Sequence, residues 1–196
     1  MPVIGVTGGI STGKTSFCDC LREILPAAKF FNADTAAREL TDRDAEVKRL
    51  LRERFGAEIF SESGDLNRAA LRAIVFADAA KKSALEQILH PRIRRQWSSA
   101  AEISRESGDL FFADIPLLYE TGGETLCDLV VVVACSRETQ LQRLMARSSL
   151  KRTEAEQIID TQMSLTEKIS RADHVVWNNG GRAVLMEQAK LLAAMW

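Results

Sequence analysis

Histidine, proline and cysteine are scarce: 196 residues include two histidines, four prolines and four cysteines. Each scarcity excludes something. No two of Cys18, Cys20, Cys127 and Cys135 have a CxxC spacing, and two histidines cannot complete a Cys/His set. A structural zinc is therefore excluded, and the cysteines read as buried thiols in a reducing cytosol. No apolar run approaches the roughly 20 residues that span a bilayer. Met1-Pro2 leads straight into an apolar segment, without the basic, apolar and small-residue parts of a signal peptide. The expected location is cytoplasmic. Neither sign of charge dominates, with 26 Lys and Arg against 27 Asp and Glu. A net charge of −1 gives no electrostatic case for a nucleic-acid or membrane partner, and no obligatory protein partner is implied.

What is present is ordinary in bulk and specific in detail. Hydrophobic content of 46% and charged content of 27% suit one soluble α/β core with room for an inserted subdomain. Gly8 to Thr15 reads Gly-Gly-Ile-Ser-Thr-Gly-Lys-Thr, a complete G-x-x-x-x-G-K-[ST] loop. Its context matches its letters. Val3 to Thr7 is a short apolar run suited to a buried strand, and Ser16 to Leu25 has helical spacing through Phe17, Cys20, Leu21 and Ile24. Strand, glycine loop and helix place the backbone N–H groups of Gly8, Gly9, Ile10, Ser11, Thr12, Gly13, Lys14, Thr15 and Ser16 around a nucleotide's phosphates. Lys14 can reach the β- and γ-phosphates, and the Thr15 hydroxyl can ligate Mg²⁺.

Four more apolar runs read as strands: Ala28–Asn32, Leu110–Ile115, Leu129–Ala134 and His174–Trp177. Near-continuous hydrophobicity in such runs is the mark of parallel strands covered on both faces. Between them, Thr35 to about Trp97 is mostly helical, interrupted at Gly56, at Ser61–Asp65 and at His90-Pro91. Arg137 to Ser170 reads as charged helix, and Asn178–Gly181 as a turn before a last helix. Strands separated by helices predict a three-layer α/β/α fold with a five-stranded parallel sheet. The expected division is a single domain over 1–196. Its core is 1–42, 98–142 and 171–196, with a helical insertion at 43–97 and a helical lid at 143–170.

Ligands bind at the carboxyl ends of strands in such sheets. Asp34 follows the second strand, where it can either cap a helix or take a proton from an acceptor hydroxyl. Asp114 ends the third strand and can serve Mg²⁺ through water or position substrate. Arg143 and Arg147 are one helical turn apart and, with Arg152 and Lys168, can form a cationic lid or a solvated helix face. His90, Tyr119 and Glu120 read on spacing alone as structural residues.

Taken in order, these motifs resemble one family, dephospho-coenzyme A kinase. Thr7–Ile10 with Gly13-Lys14-Thr15 is similar to its opening loop, and Asn32-Ala33-Asp34 with Ala37-Arg38 resembles its Asp-Ala-Asp segment. Leu66-Asn67-Arg68, His90-Pro91, Ile93-Arg94, Asp114–Glu120, Gln140–Leu144, Arg147, Gln162, Lys168 and Asn178–Gly180 continue the match. The resemblance implies a P-loop kinase with a helical substrate-binding insertion and a lid. ATP and dephospho-coenzyme A would be its substrates and Mg²⁺ its cofactor. It also implies Asp34 as base, Arg143 and Arg147 as lid arginines, and Asn178 with Gly180 near the adenine. The acceptor pocket would take Arg38, His90, Arg94, Leu117, Leu118, Tyr119 and Glu120. Two departures stand out: Ser11-Thr12 where the family's loop usually has Gly-Ser, and Asn32 in place of the first aspartate.

Overall fold

A computed structural model describes residues 1–196. In chain order its elements are β1 (Val3–Gly8), α1 (Lys14–Ile24), β2 (Lys29–Asn32), α2 (Ala33–Arg43), α3 (Ala45–Phe55), α4 (Arg68–Ala77) and α5 (Ala79–Ser107). There follow β3 (Phe111–Asp114), β4 (Leu129–Ala134), α6 (Arg137–Ser148), α7 (Arg152–Asp160), α8 (Leu165–Ser170), β5 (His174–Trp177) and α9 (Arg182–Ala193). The five strands form one parallel sheet in the order β2-β3-β1-β4-β5. The strand order reverses at β1, so the glycine loop that leaves β1 lies where open α/β sheets hold ligands.

Alternation along β1 explains how both faces are covered. Ile4 and Val6 pack with Val131, Val133 and Phe112 against Phe17 and Leu21 of α1 and Leu185 and Ala189 of α9. Each of these side chains except that of Ala189 contributes about 1.5–3 kcal/mol by leaving water. On the other face Gly5 leaves room only for Leu118 and Cys127, which crowd the position a Cβ would take. Thr7, next on that face, donates its hydroxyl to the Pro116 carbonyl at 3.0 Å.

The chain divides into two compact units, Met1–Asn32 with Ser99–Trp196, and Ala33–Ser98. The second is mainly helical, with an antiparallel bridge between Phe60 and Leu66, and has its own core of Leu40, Val47, Leu51, Phe55, Ile59, Leu66, Leu71 and Ala84. It begins ten residues before the 43–97 insertion read from the sequence, because Leu40 brings α2 into that core. Asp44 and Asn67 set the starts of α3 and α4 by accepting from the backbone N–H groups of Val47 and Ala70.

Two expectations about helices are corrected. His90-Pro91 does not break a helix: α5 runs through it for 29 residues. Proline removes only the one donor to the carbonyl a turn back, and the helix is held on either side of it: the Arg92 guanidinium donates to the Ile88 carbonyl at 2.9 Å and pairs with Glu46 at 3.0 Å. The helix continues past Trp97 because Trp97, Ala101 and Ser104 keep one face buried; it ends where Gly108 takes φ 71°. The segment 137–170 is likewise three helices rather than one. Ser149 turns left-handed after α6 at φ 53°, and Ser164 caps α8 by accepting from the Glu167 N–H.

Candidate nucleotide site

Helix α1 begins at Lys14, two residues earlier than the apolar spacing indicates, so the N–H groups of Lys14 and Thr15 are free of intrahelical partners and point back into the loop. Gly13 makes the turn possible. Its φ is 91°, and a Cβ there would land on the Asn178 side-chain amide. Thr12 is fully buried and holds the loop's own bend, its hydroxyl donating to the Gly9 carbonyl at 2.9 Å. Ser11 takes φ 59°, a left-handed conformation without glycine's freedom, and its buried hydroxyl has no hydrogen-bond partner.

The loop's carbonyls are fixed from outside by side chains of the same unit. Gln140 donates to Ile10 at 2.9 Å, Asn178 to Thr12 at 2.8 Å, Arg143 to Thr12 at 3.3 Å, and Lys168 to Gly8 at 3.4 Å. With its carbonyls tied down, the loop needs little reorganisation to offer N–H groups to phosphate oxygens. Sequence reasoning missed this role for Gln140. The available signal was its place one turn before Arg143 on α6.

The charges at the loop's mouth form a chain. Lys14 pairs with Asp114, which is only 1% exposed, and the other Asp114 oxygen accepts from the Asn32 amide at 2.7 Å. Asn32 and Asp114 are register partners on β2 and β3, as Val6 and Asp114 are on β1 and β3. Thr15 is exposed at the second position of α1. One hydroxyl and one carboxylate are a sparse donor set for a metal. They fit Mg²⁺, which takes one or two protein ligands and fills its octahedron with water and phosphate oxygens.

The remaining expected residues fall into distinct environments. Arg147 is exposed one turn after Arg143. Ser16 and Gly180 are exposed too. Asp34 is exposed in the first turn of α2, inside the helix rather than at the residue before it, which is where a capping side chain sits. Arg38 is exposed one turn further along that helix. His90 and Arg94 are one turn apart on α5, both partly buried. Leu117 is partly buried, and Leu118 is fully buried against the sheet. Tyr119 is buried with Arg171 over its ring at 4.3 Å, and burial pushes its hydroxyl up to about 12, so the group stays protonated and donates to the Arg171 carbonyl at 2.9 Å. Glu120 pairs with Lys168 at 2.9 Å and accepts from the Met163 N–H at 3.1 Å.

The two further cations of the 143–170 segment differ in burial. Arg152 is exposed and bound to Glu138 at 2.9 Å and Glu156 at 3.1 Å. Lys168 is completely buried, and its three N–H donors go to Gly8, Pro116 and Glu120. Burial holds its ammonium below the usual lysine range, while Glu120 opposes the shift. A cavity of about 480 Å³ adjoins Gly9 and Ile10, lined also by Gln140, Met163, Leu165 and Trp177.

Comparison with known proteins adds the chemistry. The dephospho-CoA kinase family model matches residues 2–183. A dephospho-CoA kinase of Syntrophotalea carbinolica is 39% identical over 99% of this chain and 92% of its own length. Among solved structures, TT1252 from Thermus thermophilus matches with a TM-score of 0.76 at 34% identity, covering 99% of this chain and 97% of that one. Dephospho-CoA kinase from Campylobacter jejuni matches with a TM-score of 0.69 at 26% identity, covering 99% and 96%.

Proposed function

The chain belongs to the dephospho-CoA kinase family, which catalyses the final step of coenzyme A biosynthesis, and from that premise we propose how its residues divide the reaction. ATP phosphorylates the ribose 3′-hydroxyl of dephospho-coenzyme A, giving coenzyme A and ADP. The observation that carries the assignment of roles is the Lys14–Asp114 pair at the mouth of a complete, externally braced phosphate loop. In an enzyme that moves a phosphoryl group, catalysis is mostly positioning and charge stabilisation.

The N–H groups from Gly8 to Ser16 receive the phosphates of ATP. Lys14 leaves Asp114 for the β- and γ-phosphates when nucleotide arrives, because a doubly charged phosphate is the stronger partner. Thr15 and Asp114 are the residues that would hold Mg²⁺, Asp114 by way of water. When bound, Mg²⁺ neutralises charge on the β- and γ-phosphate oxygens. Asp34 accepts the proton of the 3′-hydroxyl. Its support is an exposed carboxylate two residues past β2 that is not placed to cap its helix. Arg38, His90 and Arg94 are acceptor contacts by the resemblance to the family, as are Leu117 and Glu120. Arg143 and Arg147 meet the γ-phosphate from the 143–170 lid, which excludes water that would hydrolyse ATP. Asn178 and Gly180 border the adenine. The reaction is cytoplasmic, and ATP and dephospho-coenzyme A are its partners.

An ATP-dependent assay on dephospho-coenzyme A, with mass spectrometry of the product, tests the activity; phosphorylation of nucleosides or shikimate instead would overturn it. Asp34→Asn tests the base. Turnover should fall by about 10² or more with ATP affinity within about threefold. Near-normal turnover would reduce Asp34 to a helix-terminus charge.

A further inference from the structure

Lys168 is the one fully buried charged side chain of the nucleotide-binding unit that neither meets solvent nor has a donor to spare. Its ammonium stands between three segments that are far apart in sequence. The Gly8 carbonyl belongs to the last residue of β1 and the first of the loop. The Pro116 carbonyl, at 2.9 Å, lies two residues beyond Asp114, and Thr7 donates to the same oxygen. Glu120, at 2.9 Å, is in turn bound to the Met163 N–H just before α8. On its other side Gly8 lies close against β4, where a Cβ would strike the Val133 carbonyl.

We infer that Lys168 is a positioning residue for phosphoryl transfer, fixing the start of the phosphate loop against the segment that leaves Asp114. This rests on the kinase reading above. On that reading the loop start and Asp114, the partner of Lys14, serve the same γ-phosphate. A backbone shift of about 1 Å at such a site costs about 10² in rate. The β-phosphate nest nearer Lys14 is held separately by Gln140, Asn178 and Arg143. Loss of Lys168 therefore separates the two functions: transfer suffers and nucleotide binding does not.

Three variants are compared with the wild type: Lys168→Met, Glu120→Gln, and the double variant. Removing one partner of a largely buried pair destabilises the fold; removing both charges recovers part of that loss, although the Gly8 and Pro116 carbonyls still lack the lysine donor. The double variant thus keeps the test open if Lys168→Met fails to fold. Thermal melting, MgADP affinity by calorimetry, and kcat and KM are measured on whichever acceptor the wild type phosphorylates. Wild-type turnover on dephospho-coenzyme A decides the kinase reading by itself; the Lys168 claim is read from variant-to-wild-type ratios. The expected result is a double variant that melts above Lys168→Met and binds MgADP within about threefold. Its kcat should be lowered by about 30-fold, corresponding to a slight misplacement of the reacting groups. Glu120→Gln, which leaves Lys168 on the Gly8 and Pro116 carbonyls, should lose less kcat than the double variant. A double variant with wild-type kcat overturns the inference. So does an equal loss in Glu120→Gln, or a loss of MgADP affinity matching the loss of kcat.

Discussion

The Asn32 amide donates to the Asp114 carboxylate at 2.7 Å, from directly paired positions on β2 and β3. The amide satisfies an oxygen of a carboxylate that is almost fully buried and already holds Lys14 with its other oxygen. The asparagine is thus a neutral donor in a place where a second carboxylate would meet the first at hydrogen-bond distance.

Asn32→Asp should therefore lower stability by about 1–3 kcal/mol in metal-free buffer, through the lost donor and a like charge beside Asp114. Two adjacent carboxylates also attract a divalent cation, so added Mg²⁺ should close part of the gap. Urea titrations in EDTA and in MgCl₂ check both statements. Equal stability of the two proteins in EDTA would mean that the Asn32 hydrogen bond contributes nothing.

Lys14→Ala should weaken ATP binding and turnover together, each by at least about tenfold, because Lys14 meets the phosphates in ground and transition states alike. It should also lower stability without nucleotide by about 3–5 kcal/mol, since Asp114 would be left buried with only Asn32 as partner. Adding Asp114→Asn should restore most of the stability and none of the turnover. Calorimetry of ATP binding and urea unfolding separate these effects. Unchanged ATP affinity in Lys14→Ala would count against the loop as the phosphate site.

Much of this was legible in the sequence where local pattern and physics coincide. The strand runs before and after the loop, the glycines, and the Asp114 strand end appear where apolar continuity places them. What the pattern could not carry was long-range pairing. Lys168 has the composition of a surface lid residue, and only the meeting of β1, the Pro116 segment and α8 reveals its burial. Pro91 reads as a break because its missing donor is local, whereas the bonds that hold α5 around it, from Arg92 to Ile88 and to Glu46 of another helix, depend on side-chain placement. Asn32 reads as a departure from a motif until its register partner is known.

Asp128 gives a pH dependence with a definite sign. Its carboxylate accepts from the Val3 N–H at 2.7 Å, and that bond, against an opposing desolvation and with Arg105 helping, holds it below the usual carboxylate range. A depressed carboxylate stabilises the fold fully above its unfolded value, about pH 4, and loses that contribution as pH falls through its lower folded value. The melting temperature of wild type should exceed that of Asp128→Asn at pH 6, and the difference should shrink from about pH 4 downward. The side chain is 47% exposed, so salt should reduce the difference as well. A gap independent of pH would place the stabilisation in the shape of the hydrogen bond rather than in its charge.

Ser11 is the loop position where strain and function are most directly opposed. Its φ of 59° costs a side-chain-bearing residue about 1–2 kcal/mol, and its enclosed hydroxyl recovers none of that through a hydrogen bond within the protein. Ser11→Gly removes both penalties but admits more unfolded conformations, so the expected net gain is about 0.5–1 kcal/mol without nucleotide. The gain should be kept on adding saturating MgADP if the hydroxyl is idle. It should shrink or reverse if the hydroxyl is held for a phosphate oxygen, because the ligand would then repay in the serine protein what glycine cannot offer. Thermal shifts of both proteins across a MgADP titration measure the difference directly. A variant less stable than wild type without nucleotide would show that the left-handed backbone at Ser11 carries no strain.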